Sequence, residues 1–553
     1  MRNTSPTLRC SLLALAAAVL LPAGAAASGL ETLYSSSVRK ATDGSPLLTV
    51  GLMEGRSSVE ISGISAFRAE SLVGNGVNLP AGTSVTLVPV GARPARVRTW
   101  VEVASASPEQ KQYVKKTLAA WRAKGFEPRA YLRGGWIDLG QNRIDTRGFA
   151  LVLEGFERRG DAQRAAARLY REHGVRATFH EELLELPGGR VRARDAAGKT
   201  LLEADGAVRL IPRGNAPLRV KGVEYGKGYA WHGFEDREFR GTLAVALGAD
   251  GKLAVVNEVS TEQWLEGTVP SEIFSTAPAA ALRAQACAAR SEALAKLATR
   301  HLASPFVMCA SQHCQVYGGV TKAKKTTSQA VADTRGQVLM GEGDRLVDAV
   351  YCAVAGGFTE NNDAAWAVAS NKHLRGRPDG PVEEPAWEPY RAGLTDANLR
   401  GFLGHPPPNW EERSSFLKRK TFRWQKRLTT EEVDRLVAAR HEGVGAVQEI
   451  AVLERGISGR ATLLKIRGDR RTVVIQRELP IRRLFGNLRS AQFVLDTEAG
   501  PNGRPAAWIF TGGGWGHGVG MSQIGAIGRA EGGQGYRTIL EHYYRGARVT
   551  TLY

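Results

Sequence analysis

Apolar and polar residues alternate with a period of two over residues 46–62, in PLLTVGLMEGRSSVEIS, and again over residues 85–97, where Pro89 and Pro94 interrupt the run. Such alternation predicts half-buried strands, and the glycine-containing break in the first stretch predicts a hairpin. Residues 200–260 carry the same pattern with turn signals at Gly214, Gly226 and Asp250-Gly251, and FRGTLAVALGADGKLAVVNEV reads as a second hairpin. Directly after it the period lengthens. Residues 262–265 predict a short helix that Gly267 and Pro270 should stop. Residues 279–298 are almost continuous in strong helix formers and predict a long helix, with Thr276 as its cap and Pro278 in its first turn. Glu272 falls on the predicted bend between them, while Glu258 reads as a solvated residue on the preceding strand.

Between residues 98 and 185 the pattern repeats itself. WVEVAS, a helix ending WRAKG and then FEPRAYL match FALVLEG, a helix ending LYREHG and then VRATFHEEL. Trp121 and Gly125 fall opposite Tyr170 and Gly174, an offset of 49 in both cases. Tandem strand–helix–strand units predict a split βαβ sheet with both helices on one face. Residues 337–351 read as a hairpin. Residues 375–448 turn Pro-rich and charged, with a loop at HPPPNW, a basic aromatic run LKRKTFRWQKR that reads best as a solvated face, and a capped helix start at LTTEE. Residues 450–474 return to hairpins. The expected fold class is α+β and multidomain: a β-rich segment at 28–97, a βαβ-repeat domain at 98–190, and a β-rich domain at 200–553 with a lobe inserted at about 375–448.

Composition adds a compartment. Residues 1–27 carry Arg2 and Arg9, an apolar run at 12–21 and Ala25-Ala26-Ala27 before Ser28, which reads as a cleavable signal peptide. Cys10 precedes the apolar run, where a lipoprotein cysteine would not be. No later segment reaches the roughly 20 apolar residues of a membrane span, so the mature chain is expected outside the cytoplasm, in periplasm or wall. Cleavage takes the formal charge from +19 to +17. That excess suits wall polymers or anionic lipid, and export argues against nucleic acid.

Three stretches carry candidate chemistry. Glu272 is flanked by Val269, Ile273 and Phe274, and desolvation of that kind raises a carboxyl's pKa until it can donate a proton near neutrality; a helix-dipole carboxylate is the alternative. Four cysteines, Cys287, Cys309, Cys314 and Cys352, remain after cleavage. Cys309 and Cys314 could bridge or stay free, or with His313 they could bind zinc if a fourth ligand or water completes the shell. Cys287 reads as a small core residue. GGGWGHGVGMSQIGA, at 512–526, lacks the Lys-Ser/Thr of a phosphate loop, so a nucleotide site is rejected; Trp515, His517, Ser522 and Gln523 offer stacking and hydrogen-bond groups instead.

The stretch containing Trp264, Leu265, Gly267, Val269, Pro270 and Glu272, followed by Ala281, Leu282, Ala284, Gln285, Ala286, Ala288, Ala289 and Arg290, resembles the signature of the SpoIID/LytB family. CASQHCQVYGG at 309–319, DAVYCAVAGGFTEN at 348–361 and the glycine-rich block follow in the family's order, so the resemblance covers about 205–553. It implies a lytic transglycosylase of peptidoglycan that prefers peptide-stripped glycan strands, with Glu272 as catalytic acid and no cofactor required, or a non-catalytic helper of a wall amidase. It implies cleft walls that place Gln285, Arg290, His313, Gln315, Tyr317, Gly356, Gly357, Thr359, Trp515, His517, Ser522 and Gln523 against sugar. Cys352, Ala353 and Ala355 depart from the hydroxyl residues and histidine usual there, and Cys352 is a further thiol for the Cys309 and Cys314 group. The second repeat unit, with Gly155-Phe156, Ala162, Leu169 and Gly174, resembles a SPOR domain, a glycan-binding module; a plain scaffold is the alternative.

Overall fold

A computed structural model describes residues 29–139, 142–227, 231–500 and 503–553; the expected signal peptide and Cys10 lie outside them. The strands Pro46–Arg56 and Val59–Gly63 are both present, but they do not form the expected hairpin. Pro46–Arg56 pairs antiparallel with Leu253–Ser260, in a sheet that continues through Thr242–Leu247, Ala207–Pro212, Phe67–Ser71 and Gly76–Leu79. Val59–Gly63 instead joins Ser84–Arg93 and Leu218–Tyr225 in a second sheet, with Gly188–Arg194, Thr200–Asp205 and Gly233–Phe239 beyond them. Leu48, Val50 and Val255 from the first sheet share one core with Ile61, Val85 and Leu87 from the second. The short turn between the strands therefore carries the chain from one layer to the other. Strands of the N-terminal segment thus share both sheets with strands from residues 188–260. The hairpin of Thr242–Leu247 with Leu253–Ser260 forms as expected. Glu258 on it is buried rather than solvated, paired with Arg209 at 3.0 Å and Arg39 at 3.2 Å.

The repeat folds as two strand–helix–strand units. Its four strands lie antiparallel in the order Thr178–Glu185, Arg96–Ala106, Gly148–Phe156, Arg129–Arg133. The helices α1 (Lys111–Arg122) and α2 (Arg159–His173) cover one face, where Trp121, Ala162 and Leu169 pack on Val101, Val103 and Leu153. Gly125 and Gly174, the glycines matched in the sequence repeat, both take positive φ, 85° and 66°, which ends each helix without a Cβ penalty. Of the aromatics here Trp136 is exposed, with Arg143 and Arg147 over its ring, Phe156 is half-buried, and Trp100 is buried against Tyr131.

Helix α3 (Thr261–Glu272) opens with the Ser260 hydroxyl accepting from the Gln263 N–H at 3.2 Å. It does not stop where Gly267 and Pro270 were expected to stop it. Pro270 costs one hydrogen bond near the end of the helix, where few remain to be lost. Gly267 is there for space: a Cβ would lie 2.7 Å from the Gly319 carbonyl and 2.8 Å from the Tyr317 ring. Helix α4 (Ala279–Ala295) starts from Pro278 with no side-chain cap, so Thr276 does not serve as one. Most of its residues are buried, including Cys287, and their small side chains let neighbouring elements approach on all sides. The inserted lobe continues past residue 448. Its core joins Trp424, Leu428 and Val433 to Leu464, Phe493 and Phe510, so strands up to Ala507–Gly513 belong to it. Thr429 and Glu432 form a capping box on Thr430–Ala438 as expected. After the lobe, helix α5 (Gln523–Glu531) returns the chain to α4. Among the described residues no helix is long and apolar enough to cross a membrane.

Candidate active site

Glu272 is the last residue of α3, so its side chain leaves the helix where carbonyls rather than N–H groups are exposed. One Oε1 accepts from the Val316 N–H at 2.8 Å, and no cation pairs with the carboxyl among the described residues. The residue is half-buried, and packing of the carboxyl among protein atoms pushes its pKa up to about 8; the Val316 N–H pulls the other way and the Glu292 charge adds to the rise. Glu292 itself is buried in an ion pair with Lys296. Gln523, the first residue of α5, donates to the Glu272 carbonyl at 2.8 Å and to Gln285 Oε1 at 3.2 Å. Gln315 accepts from Tyr351 Oη at 2.9 Å and donates to the Ala289 carbonyl at 3.0 Å. Burial and the Glu272 charge both push the Tyr351 phenol well above its ordinary value. Three carboxamides and a phenol are thus brought to Glu272, and Phe274, exposed beside it, meets Phe416 at 5.5 Å.

Other expected contacts lie inside the protein instead. Arg290 is 0 % exposed and grips Glu262, with Nε to Oε1 at 2.9 Å and Nη2 to Oε2 at 2.7 Å. Its guanidinium has no face left for sugar, so it ties α4 to α3. Tyr317 is buried with its hydroxyl on Asn257 at 2.9 Å, and the Thr359 hydroxyl is buried against the Arg377 backbone. Ser522 is buried, capping α5 at Gly525 and donating to Glu411. That Glu411 carboxylate also takes the N–H groups of Ala355 and Gly357, so the paired glycines Gly356 and Gly357, at φ 81° and 90°, shape a loop held from below. His517 accepts from the Val519 N–H at 3.0 Å and packs on Trp366; burial and the nearby Arg460 push its pKa down to about 3. Trp515 remains 40 % exposed, with Arg489 over its ring.

The four described cysteines are free thiols. Cys352 is buried beside Gly516 and does not join the others. Cys309, His313 and Cys314 converge, and His301 is the fourth donor; ligand atoms of all four lie within 4.8 Å of one another. The separations are 3.4 Å from His301 Nε2 to Cys314 Sγ and 3.7 Å from His313 Nδ1 to each sulfur. Usual zinc bond lengths give tetrahedron edges of roughly 3.3–3.8 Å, so this donor set fits zinc in a closed two-sulfur, two-nitrogen shell. A hydrogen bond between the two sulfurs pulls the Cys309 thiol down and pushes the Cys314 thiol up. Arg300 donates to the His313 carbonyl at its edge.

The profile of the stage II sporulation protein family matches residues 249–340, which include α3, α4 and this donor cluster. Stage II sporulation protein D of Bacillus amyloliquefaciens is 25 % identical over 313 residues, 53 % of this chain and 75 % of its own length. These matches support a SpoIID/LytB-family assignment. The amidase enhancer of Bacillus subtilis (strain 168) is 25 % identical over 303 residues, 52 % of this chain and 40 % of that protein. An uncharacterised protein of Brachyspira hyodysenteriae is 27 % identical over 312 residues, 56 % of this chain and 72 % of its own. A domain of unknown function (DUF8618) matches residues 360–520, the lobe and the loop leading into it. Sequence reading missed His301, Tyr351 and Glu411 as members of the site. The His-x7-Cys-x3-His-Cys spacing from His301 was a usable signal for the first; nothing local marks the other two.

Proposed function

We propose that this chain acts on the bacterial cell wall as an exported lytic transglycosylase, cleaving the bond between N-acetylmuramic acid and N-acetylglucosamine in peptide-stripped strands. The observation that carries this reading is a half-buried carboxyl with one N–H donor and no paired cation among the described residues, its pKa pushed up to about 8 by burial. Most glycoside hydrolases need two carboxyl groups. Here the other carboxyl that acts on Glu272, Glu292, is buried and engaged by Lys296, which suits a reaction needing one. Protonated Glu272 gives its proton to the glycosidic oxygen as that bond breaks. The substrate's acetamido group stabilises the anomeric carbon. The Glu272 carboxylate then takes the proton of the muramyl 6-hydroxyl as its oxygen bonds the anomeric carbon, leaving a 1,6-anhydro end and a recovered acid without water. Gln285, Gln315 and Gln523 are buried and hold the backbones around Glu272, and Trp515 offers a stacking surface to a sugar ring.

We further propose that His301, Cys309, His313 and Cys314 hold zinc. With four protein ligands it would be structural. Its role is to fix the loop whose next residues, Gln315 and Val316, reach Tyr351 and Glu272.

The test is mass spectrometry of peptide-stripped glycan after incubation with the wild type and Glu272→Gln. Anhydromuramyl ends from the wild type alone support the reading. The relative named amidase enhancer favours a second one, a wall-binding helper, and strand binding without cleavage by either protein would select it.

A further inference from the structure

Away from Glu272, an open cavity of about 470 Å³ lies between the lobe's sheet of Val447–Arg455, Ala461–Gly468 and Thr472–Gln476 and the turn at 361–364. None of the residues around Glu272 lines it. Asn361, Asp363, Glu454, Thr462, Gln476 and Arg477 supply its polar wall. The floor is rigid, because the buried Glu360 carboxylate accepts from Asn361 N at 2.7 Å, Ile457 N at 3.1 Å and Ser458 Oγ at 2.7 Å.

Two opposite charges on this wall form no ion pair among the described residues, although Tyr113, Asp363 and Glu454 all act on Arg477. Arg477 holds φ 74°, where glycine would be free of strain, and its N–H donates to the Thr462 carbonyl at 2.7 Å. Its guanidinium donates through Nη1 to the Asp363 carbonyl and makes no other hydrogen bond among the described residues. The exposed Glu454 carboxylate makes no hydrogen bond or ion pair among the described residues. The other charges are spoken for: Asp363 pairs with Arg375 at 2.6 Å, and Arg455 with Asp396 at 2.6 Å and the carbonyls of Gly459 and Phe493 at 2.9 Å.

We infer that this cavity binds a short peptide carrying both a free ammonium and a free carboxylate. Glu454 receives the ammonium, Arg477 the carboxylate, and Asn361, Thr462 and Gln476 face the peptide groups between them. A peptide-stripped strand offers carboxylates but no ammonium, so it could meet Arg477 and not Glu454, and the volume is that of a small-ligand site. The inference does not rest on glycan cleavage.

Calorimetric titration of the full chain with the tripeptide Ala-Glu-Lys tests it. Saturable binding is expected, weakened about tenfold or more by Glu454→Gln and by Arg477→Gly. Glycine tolerates the φ at 477, and Glu454 is exposed, so both variants should fold, which circular dichroism checks. Blocking the peptide's amine by acetylation should weaken binding to the wild type by a similar factor and leave Glu454→Gln unchanged. No binding, binding indifferent to both variants, or stronger binding of a neutral chito-oligosaccharide at this cavity would overturn it.

Discussion

The two ends of helix α3 each carry a glutamate, and the two could hardly be used more differently. Glu262, in the first turn, receives two N–H groups of Arg290 and the Tyr553 hydroxyl at 2.6 Å. Glu272, at the last residue, receives one backbone N–H and, among the described residues, no cation. Both are shielded from water, but only the first has its charge matched. A buried carboxylate paired with a guanidinium stays ionised and holds helices together, whereas a buried carboxyl without one keeps its proton. The difference teaches that the helix does not confer reactivity; the partners packed against each end do. Arg290 belongs to the same signature as Glu272, and its part is to occupy Glu262.

Breaking this contrast should give opposite failures. Glu272→Gln should lower formation of anhydromuramyl ends by roughly 10² to 10⁴ without lowering stability in denaturant unfolding. Glu262→Gln strands a buried guanidinium and should cost about 3–5 kcal/mol of stability in the same unfolding experiment. An unfolded Glu272→Gln, or a Glu262→Gln of wild-type stability, would erase the distinction.

Smaller effects sharpen it. Prolonged chelation, or His301→Ala, should release about one zinc per chain by atomic absorption and reduce activity as the Val316 N–H loses its place. Gln523→Ala removes two hydrogen bonds behind Glu272 and should lower the rate about tenfold with little change in binding, read as a kcat effect. The pH dependence has a definite sign. Glu272 keeps its proton in the folded chain up to about 8 but releases it at about 4.5 when unfolded. Its contribution to stability is therefore full below 4.5 and is lost as pH rises toward 8. Thermal melts should show Glu272→Gln gaining on the wild type across that window, by on the order of 2 °C, and activity should fall above it as the acid deprotonates.

Local signals carried much of this into the sequence. Helix formers marked α4, glycine and proline marked the neighbourhood of Glu272, and the 49-residue offset marked the repeat whose glycines both take positive φ. What stayed hidden depends on partners far along the chain. Alternation showed that 46–56 and 59–63 are strands, but the same alternation suits a hairpin or a crossing between sheets; the choice was made by Leu253–Ser260, which local periodicity does not see. Gly267 and Pro270 read as helix breakers because their local cost is visible and the packing of Tyr317 and Gly319 is not. The family resemblance placed Arg290 against substrate, and only the fold shows Glu262 one helix away. The carboxamides were legible as polar residues in cleft blocks, whereas Glu411, which holds the glycine loop, comes from the lobe.

The most direct test of the contrast is an infrared titration of the wild type against Glu272→Gln, which isolates one carboxyl group. A protonated carboxyl signal present in the wild type at neutral pH, absent from the variant and vanishing near pH 8, is the predicted result. Loss of that signal near the ordinary carboxyl value, about 4.5, would show that Glu272 is as ionised as any surface glutamate and would contradict its assignment as the acid.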